Sequence, residues 1–182
     1  MTGMPHPLDL LAQAVNVASN SLHTARGILP TSPTPCSEWD LGTLVFHLAD
    51  SAATLRELIV GDAPGAPPAA GCVPAQRELR RLRDAVHDAP RQDPAVELIA
   101  LTGSFELTIH AWDINQATGS TERLPADLVS TLLNFAPVVL NDIDHAGLFA
   151  TTRPPTAGQC AEAERLLALF GRGPGPGHVP TV

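Results

Sequence analysis

The sequence predicts an all-α protein, and three observations predict it. Leucine and alanine dominate the apolar positions, the apolar–polar alternation of a half-buried strand is nearly missing, and apolar residues recur three and four apart. Residues at those spacings share one face of a helix, so each run forms a stripe that another helix must cover.

Taken in order, the first helix is expected over Leu8–Leu29, stopped by Pro30. Thr31 to Glu38, with Pro33 and Pro35, reads as a loop. Asp40 is the N-cap of a second helix whose Leu41, Leu44, Val45, Leu48, Ala52, Leu55 and Ile59 make one apolar stripe, and Gly61 ends it. The Gly-, Pro- and Ala-rich segment Asp62–Val73 reads as an exposed connection. Pro74 opens a shorter, charged helix to about Asp88. Asp93 followed by Pro94 is a cap with proline at the first helical position, and that helix ends near Gly119. Pro125 opens a further helix through Asn141 or beyond, with Pro137 a kink or break, and a last helix covers about Gly158–Phe170. The whole suggests an antiparallel up-and-down bundle of four main helices with additional short helices.

A chain of 182 residues with 44% apolar content suits one sizeable core, so a single domain is expected over residues 1–171, with 172–182 a disordered Gly/Pro-rich tail. The net charge of −8 argues against a nucleic-acid or anionic-membrane partner. The Arg77, Arg80, Arg81 and Arg83 group, interleaved with Glu78 and Asp84, reads as the solvated face of a helix. The N-terminus has no signal-peptide pattern, and no stretch approaches the roughly 18 apolar residues of a membrane span. A soluble, cytoplasmic protein is the expectation. Cys36, Cys72 and Cys160 are odd in number and widely spaced, which fits reduced thiols better than a disulfide framework or a C-x-x-C motif. The absence of lysine beside abundant Arg, Ala, Gly and Pro is the bias of a GC-rich genome.

Glu106 and His110 stand four apart in the expected fourth helix and so share a face, where they can supply two ligands to one metal ion. At 100° per residue, Glu106, His110 and Asp113 fall within a sector of about 60°, beside an apolar stripe of Leu98, Leu101, Phe105, Ile109 and Trp112. A solvated trio would usually point away from that stripe, so a site at the edge of the core is suggested. His47 is the candidate third ligand, although it lies roughly 90° from the centre of its own stripe, where a half-buried core histidine is the commoner occupant. The ordinary alternative for Glu106 and His110 is a surface i,i+4 pair. Asp50 and Asp113 either orient the histidines, or move a proton, or are surface acids. Trp39 and Trp112 read as core or loop anchors, and Cys36 as a small buried residue rather than a nucleophile. His87, His145 and His178 fall outside any ligand spacing. No serine-nucleophile motif, phosphate loop or His-Glu-x-x-His is present. Leu128, Leu132, Leu133 and Phe135 are candidates for a homodimer face, and core packing explains them equally well.

Two segments together resemble a known family. Thr34-Pro35-Cys36-Ser37-Glu38-Trp39-Asp40-Leu41, leading to His47-Leu48, is similar to the Thr-Pro-Cys-x-x-Trp…His-Leu segment of the DinB-like superfamily, in its mycothiol-dependent maleylpyruvate isomerase N-terminal branch. Glu106 to Gly119 resembles that branch's Glu-x-x-x-His-Gly-Trp-Asp-Leu-Ala-Arg-Ala-Thr-Gly, and Glu164 to Arg172 its usual ending. The resemblance implies a four-helix bundle holding a divalent metal, usually zinc, through His47, Glu106 and His110. Ala111 replaces the customary Gly, Gln116 stands where Arg is common, and the second domain of maleylpyruvate isomerase itself is missing, so that particular reaction is not expected.

The leading expectation is therefore a metal-dependent enzyme in which a low-molecular-weight thiol, by resemblance mycothiol, isomerises or is transferred to a small electrophile. Zinc is the first choice of metal, with nickel and iron as alternatives. Two other readings keep the site: a hydrolase in which the metal activates water, and a metal-stabilised binding module without catalysis.

Overall fold

The computed structural model describes residues 4–36, 39–140 and 159–173. Every regular element among them is a helix: α1 (Pro7–Thr24), α2 (Leu41–Val60), α3 (Cys72–Asp88), α4 (Pro94–Thr118), α5 (Ala126–Leu140) and α6 (Gln159–Leu169). An isolated antiparallel bridge joins Pro33 to Asp40 across the loop before α2.

Local chemistry sets the helix ends. Asp40 Oδ1 accepts from Thr43 N at 2.8 Å and opens α2; Asp93 Oδ1 accepts from Ala95 N at 2.9 Å, ahead of Pro94 in α4. Gly61 and Gly119 end α2 and α4 at φ 74° and 68°, a left-handed conformation that costs glycine nothing. The expected extension of α1 to Leu29 is corrected: the helix stops at Thr24. The Thr24 hydroxyl donates to the Ser21 carbonyl, Arg26 N turns to His23 O, and Gly27 takes φ 86°. The break is thus made by a local turn well before Pro30. At its other end α1 is capped by His6, whose Nδ1 accepts from Leu8 N. α3 starts at Cys72 rather than Pro74, and α5 continues through Pro137 to Leu140. The expected continuation of α5 to Asn141, the start of the last helix at Gly158, His145, His178 and most of the 172–182 tail lie outside the described residues.

The chain divides into two compact units, Met1–Arg123 and Leu124–Val182. In the first, α4 packs on α1 and α2, and α3 packs on the same two helices. The principal contacts thus run around a ring in the order α1, α4, α2, α3, so chain neighbours are not spatial neighbours throughout, as a simple up-and-down order would have it. The core is built from Leu11, Val15 and Leu22 of α1, Leu44, Leu48 and Leu55 of α2, Leu79 and Leu82 of α3, and Leu107 and Ile114 of α4. Gly103 marks the tightest approach, since a Cβ there would lie 2.8 Å from Leu55 Cδ1 and 3.2 Å from Leu11 Cδ1. In the second unit α5 packs with α6. Leu128 and Leu132 are fully buried, which removes them from the outer face suggested for a homodimer.

Arg77, Arg80, Arg81 and Arg83 are all exposed on α3, as their charge pattern implies, and Arg81 pairs with Glu78 at 2.9 Å. Neither Cys36 nor Cys72 is in a disulfide. Among the described residues no helix is long and apolar enough to cross a membrane.

Candidate metal centre

The packing of α2 on α4 brings His47 to Glu106 and His110. His47 Nε2 lies 2.7 Å from Glu106 Oε1, and His110 Nε2 lies 3.3 Å from the same oxygen. The three donor atoms all fall within 4.8 Å of one another. Ligands about 2.0–2.2 Å from a tetrahedral ion stand roughly 3.3–3.6 Å apart, so small adjustments suffice for the trio to share an ion. Two imidazoles and a carboxylate are a donor set suited to zinc, nickel or iron.

The surrounding groups hold these donors in place. Ser51, one turn beyond His47 on α2, donates to Glu106 Oε1 at 3.0 Å and lies 3.4 Å from His47 Nε2. Asp113, fully buried, places Oδ2 3.1 Å from His110 Nδ1, which leaves Nε2 turned toward Glu106. The Cys36 thiol donates to the same Asp113 oxygen at 3.2 Å. Cys36 and Trp39 come from the loop before α2, which Thr34 pins: its hydroxyl donates to Trp39 O at 2.7 Å and accepts from Cys36 N at 3.1 Å. The Trp39 ring centroid is 4.6 Å from that of His47 and 5.9 Å from that of His110, forming an aromatic wall over both imidazoles.

Charge follows from this geometry. Burial alone would push the Glu106 carboxyl up, but hydrogen bonds from His110 and His47, and their positive charge, hold it well below its ordinary 4.5. Burial alone would push His110 down, yet its bonds to Asp113, Cys36 and Glu106 raise it from 6.5 to about 11. In the metal-free protein His110 is thus an imidazolium clamped between Glu106 and Asp113.

The structure brings together His47, Glu106, His110 and Asp113. Asp50 does not join them: it makes no hydrogen bond or ion pair with the cluster, and Ser51 is the α2 residue that reaches Glu106. The α4 trio runs from a part-exposed Glu106 into the core at His110 and Asp113, which are 7% and 0% exposed, while Leu98 of the expected apolar stripe is 55% exposed. Trp39 packs against the core, as an anchor does, and also borders the site, while Cys36, expected to be a small buried residue, is half-buried beside Asp113. Ser51 carried a usable signal, its i+4 spacing from His47; Cys36 and Trp39 sit in a loop, where no periodicity points to a partner. His87 is exposed on α3, outside both donor groups.

Comparison with protein-family models, with curated proteins and with solved structures finds no match to this chain.

Proposed function

We propose that the protein is a metal-dependent enzyme that activates a low-molecular-weight thiol, such as mycothiol, for isomerisation of, or transfer to, a small electrophile. The observation that carries this reading is the convergence of His47 Nε2, Glu106 Oε1 and His110 Nε2 from two helices within 4.8 Å. The His47 and Glu106 side chains keep 33% and 36% of their surface exposed, so the place where they meet is reachable from solvent. The thiol and the reaction class rest on the resemblance of the Thr34–Leu48 and Glu106–Gly119 segments to the mycothiol-dependent branch of the DinB-like superfamily.

Two neutral imidazoles and one carboxylate leave a bound divalent ion with a local charge of about +1, which favours an incoming anion. When bound, the ion supplies Lewis acidity that stabilises the thiolate form of a thiol at neutral pH. The chain's own residues do the rest. Asp113 accepts the Nδ1 proton of His110, fixing the tautomer and the ring's orientation. Ser51 holds Glu106 by its hydroxyl. Trp39 closes one side of both imidazoles and offers a flat apolar surface to a substrate.

The test is a cobalt-substituted Cys36→Ser protein, in which the native thiol beside the site cannot contribute, titrated with mycothiol. A new thiolate-to-cobalt charge-transfer band, together with thiol-dependent consumption of an electrophile, is the expected result. A spectrum unchanged by thiol overturns the thiol chemistry, and water-dependent turnover without thiol replaces it with the hydrolase.

A further inference from the structure

His110 presents its two ring nitrogens to two different groups of donors. Nε2 faces Glu106, while Nδ1 faces Asp113 Oδ2 at 3.1 Å, which in turn is 3.2 Å from Cys36 Sγ. The thiol, the carboxylate oxygen and Nδ1 lie within 4.8 Å of one another, a second set of mutually adjacent ligand atoms. We propose that Cys36, Asp113 and His110 Nδ1 form a second metal locus, selective for a thiophilic divalent cation.

Spacing, charge and rigidity support it. The 3.1 and 3.2 Å hydrogen-bond separations are a little shorter than the roughly 3.3–3.8 Å edges of a tetrahedron around an ion bonded at about 2.0–2.3 Å, so the donors need only spread slightly to hold one. A thiolate, a carboxylate and a neutral imidazole carry two negative charges in all, so a divalent ion makes the locus neutral. Neutrality suits this position, where Asp113 is 0% and His110 7% exposed, because an uncompensated charge there has no water to solvate it. The His47/Glu106/His110 group differs on both counts, being left with positive charge and more open to solvent. Sulfur also changes the preference: a thiolate ranks soft ions such as cadmium above the harder ions that imidazole and carboxylate accept. The Thr34 hydroxyl fixes the backbone on both sides of Cys36, so the thiol is held in place in advance of the ion.

In forming the locus, the cation takes the place of two protons, one on Cys36 Sγ and one on His110 Nδ1, both of which Asp113 Oδ2 accepts in the metal-free protein. The thiol loses its proton and stays on the cation as thiolate, both displaced protons pass to solvent, and the imidazole keeps its other nitrogen for the Glu106 side. Because one ring serves both loci, an ion at one changes the affinity of the other. A thiophilic cation is therefore expected to interfere with the His47 site without touching His47 or Glu106.

Cadmium tests this in the full chain carrying Cys72→Ser and Cys160→Ser, so that Cys36 is the sole thiol, and His47→Ala, so that the other locus is disabled. The expected result is about one cadmium per chain with an ultraviolet thiolate-to-cadmium charge-transfer band, a cadmium affinity at least about tenfold weaker after Asp113→Asn, and no band after Cys36→Ser. Absence of the band, or an affinity unmoved by Asp113→Asn, overturns the proposal. Since His47 is not a donor here, the outcome is independent of the function proposed above.

Discussion

Glu106 Oε1 on α4 lies 2.7 Å from His47 Nε2 on α2, 59 residues apart in the chain, and the same oxygen meets His110 Nε2 at 3.3 Å. One carboxylate oxygen thus gathers two imidazoles from two helices, which goes beyond a surface i,i+4 pair and assembles the three donors of the candidate metal centre.

Metal binding must displace a proton from His110, which the metal-free protein holds as an imidazolium up to about pH 11. Affinity for zinc is therefore expected to rise with pH, about tenfold per unit between roughly pH 6 and 8, from this one group. Competition titrations at several pH values, with proton release measured in weak buffer, check it. A flat profile contradicts the arrangement.

Stability of the metal-free protein carries the same groups with opposite signs. His110 is raised when folded, so its stabilising contribution is complete below its ordinary 6.5 and is lost as pH climbs from there toward 11. Glu106 is lowered when folded, so its contribution is present above 4.5 and is lost as pH falls below that. Thermal melts of chelated protein are expected to show a falling Tm on the alkaline side, and His110→Gln should flatten that limb.

Asp113→Asn removes the charged acceptor of the His110 Nδ1 proton while keeping the shape. A loss of about 10–100-fold in zinc affinity is expected, the usual effect of removing a group that orients a histidine ligand. Isothermal titration measures it. Asp50→Asn, lacking a bond to the cluster, should leave affinity within about twofold of native, since it touches no ligand.

Ser51→Ala deletes a hydroxyl that donates to Glu106 at 3.0 Å. A neutral-to-charged hydrogen bond at a half-exposed site is worth about 0.5–1.5 kcal/mol, so zinc affinity should fall roughly two- to tenfold while the far-ultraviolet helical signal stays unchanged.

Much of the fold was legible because the decisive signals are local. Asp40, Gly61, Asp93, Pro94 and Gly119 fix the ends of α2 and α4 through caps that involve only near neighbours. The end of α1 was not legible, since Thr24, Arg26 and Gly27 form a turn that no strong breaker announces before Pro30. On α4 the helical wheel placed Glu106, His110 and Asp113 on one face but misjudged the apolar stripe beside it, because a helix covered on nearly all sides has no single such stripe. His47 was found as a ligand candidate more through resemblance than periodicity, and the structure supplies what periodicity could not, the α2–α4 contact that sets it against Glu106. Cys36 and Trp39 needed the folded loop, pinned by Thr34, before their neighbours could be known.

The central claim is that His47, Glu106 and His110 bind one metal ion together. It is tested most directly by equilibrium dialysis against zinc of the Cys36→Ser chain, in which no thiol beside the site competes, and of the same chain carrying His47→Ala or Glu106→Gln. About one zinc per chain, lost in both variants while helical content is retained, is the predicted result. A Cys36→Ser chain that binds no zinc, or variants that bind it as well as their parent, would contradict the claim and leave Glu106 and His110 as an ion pair on α4.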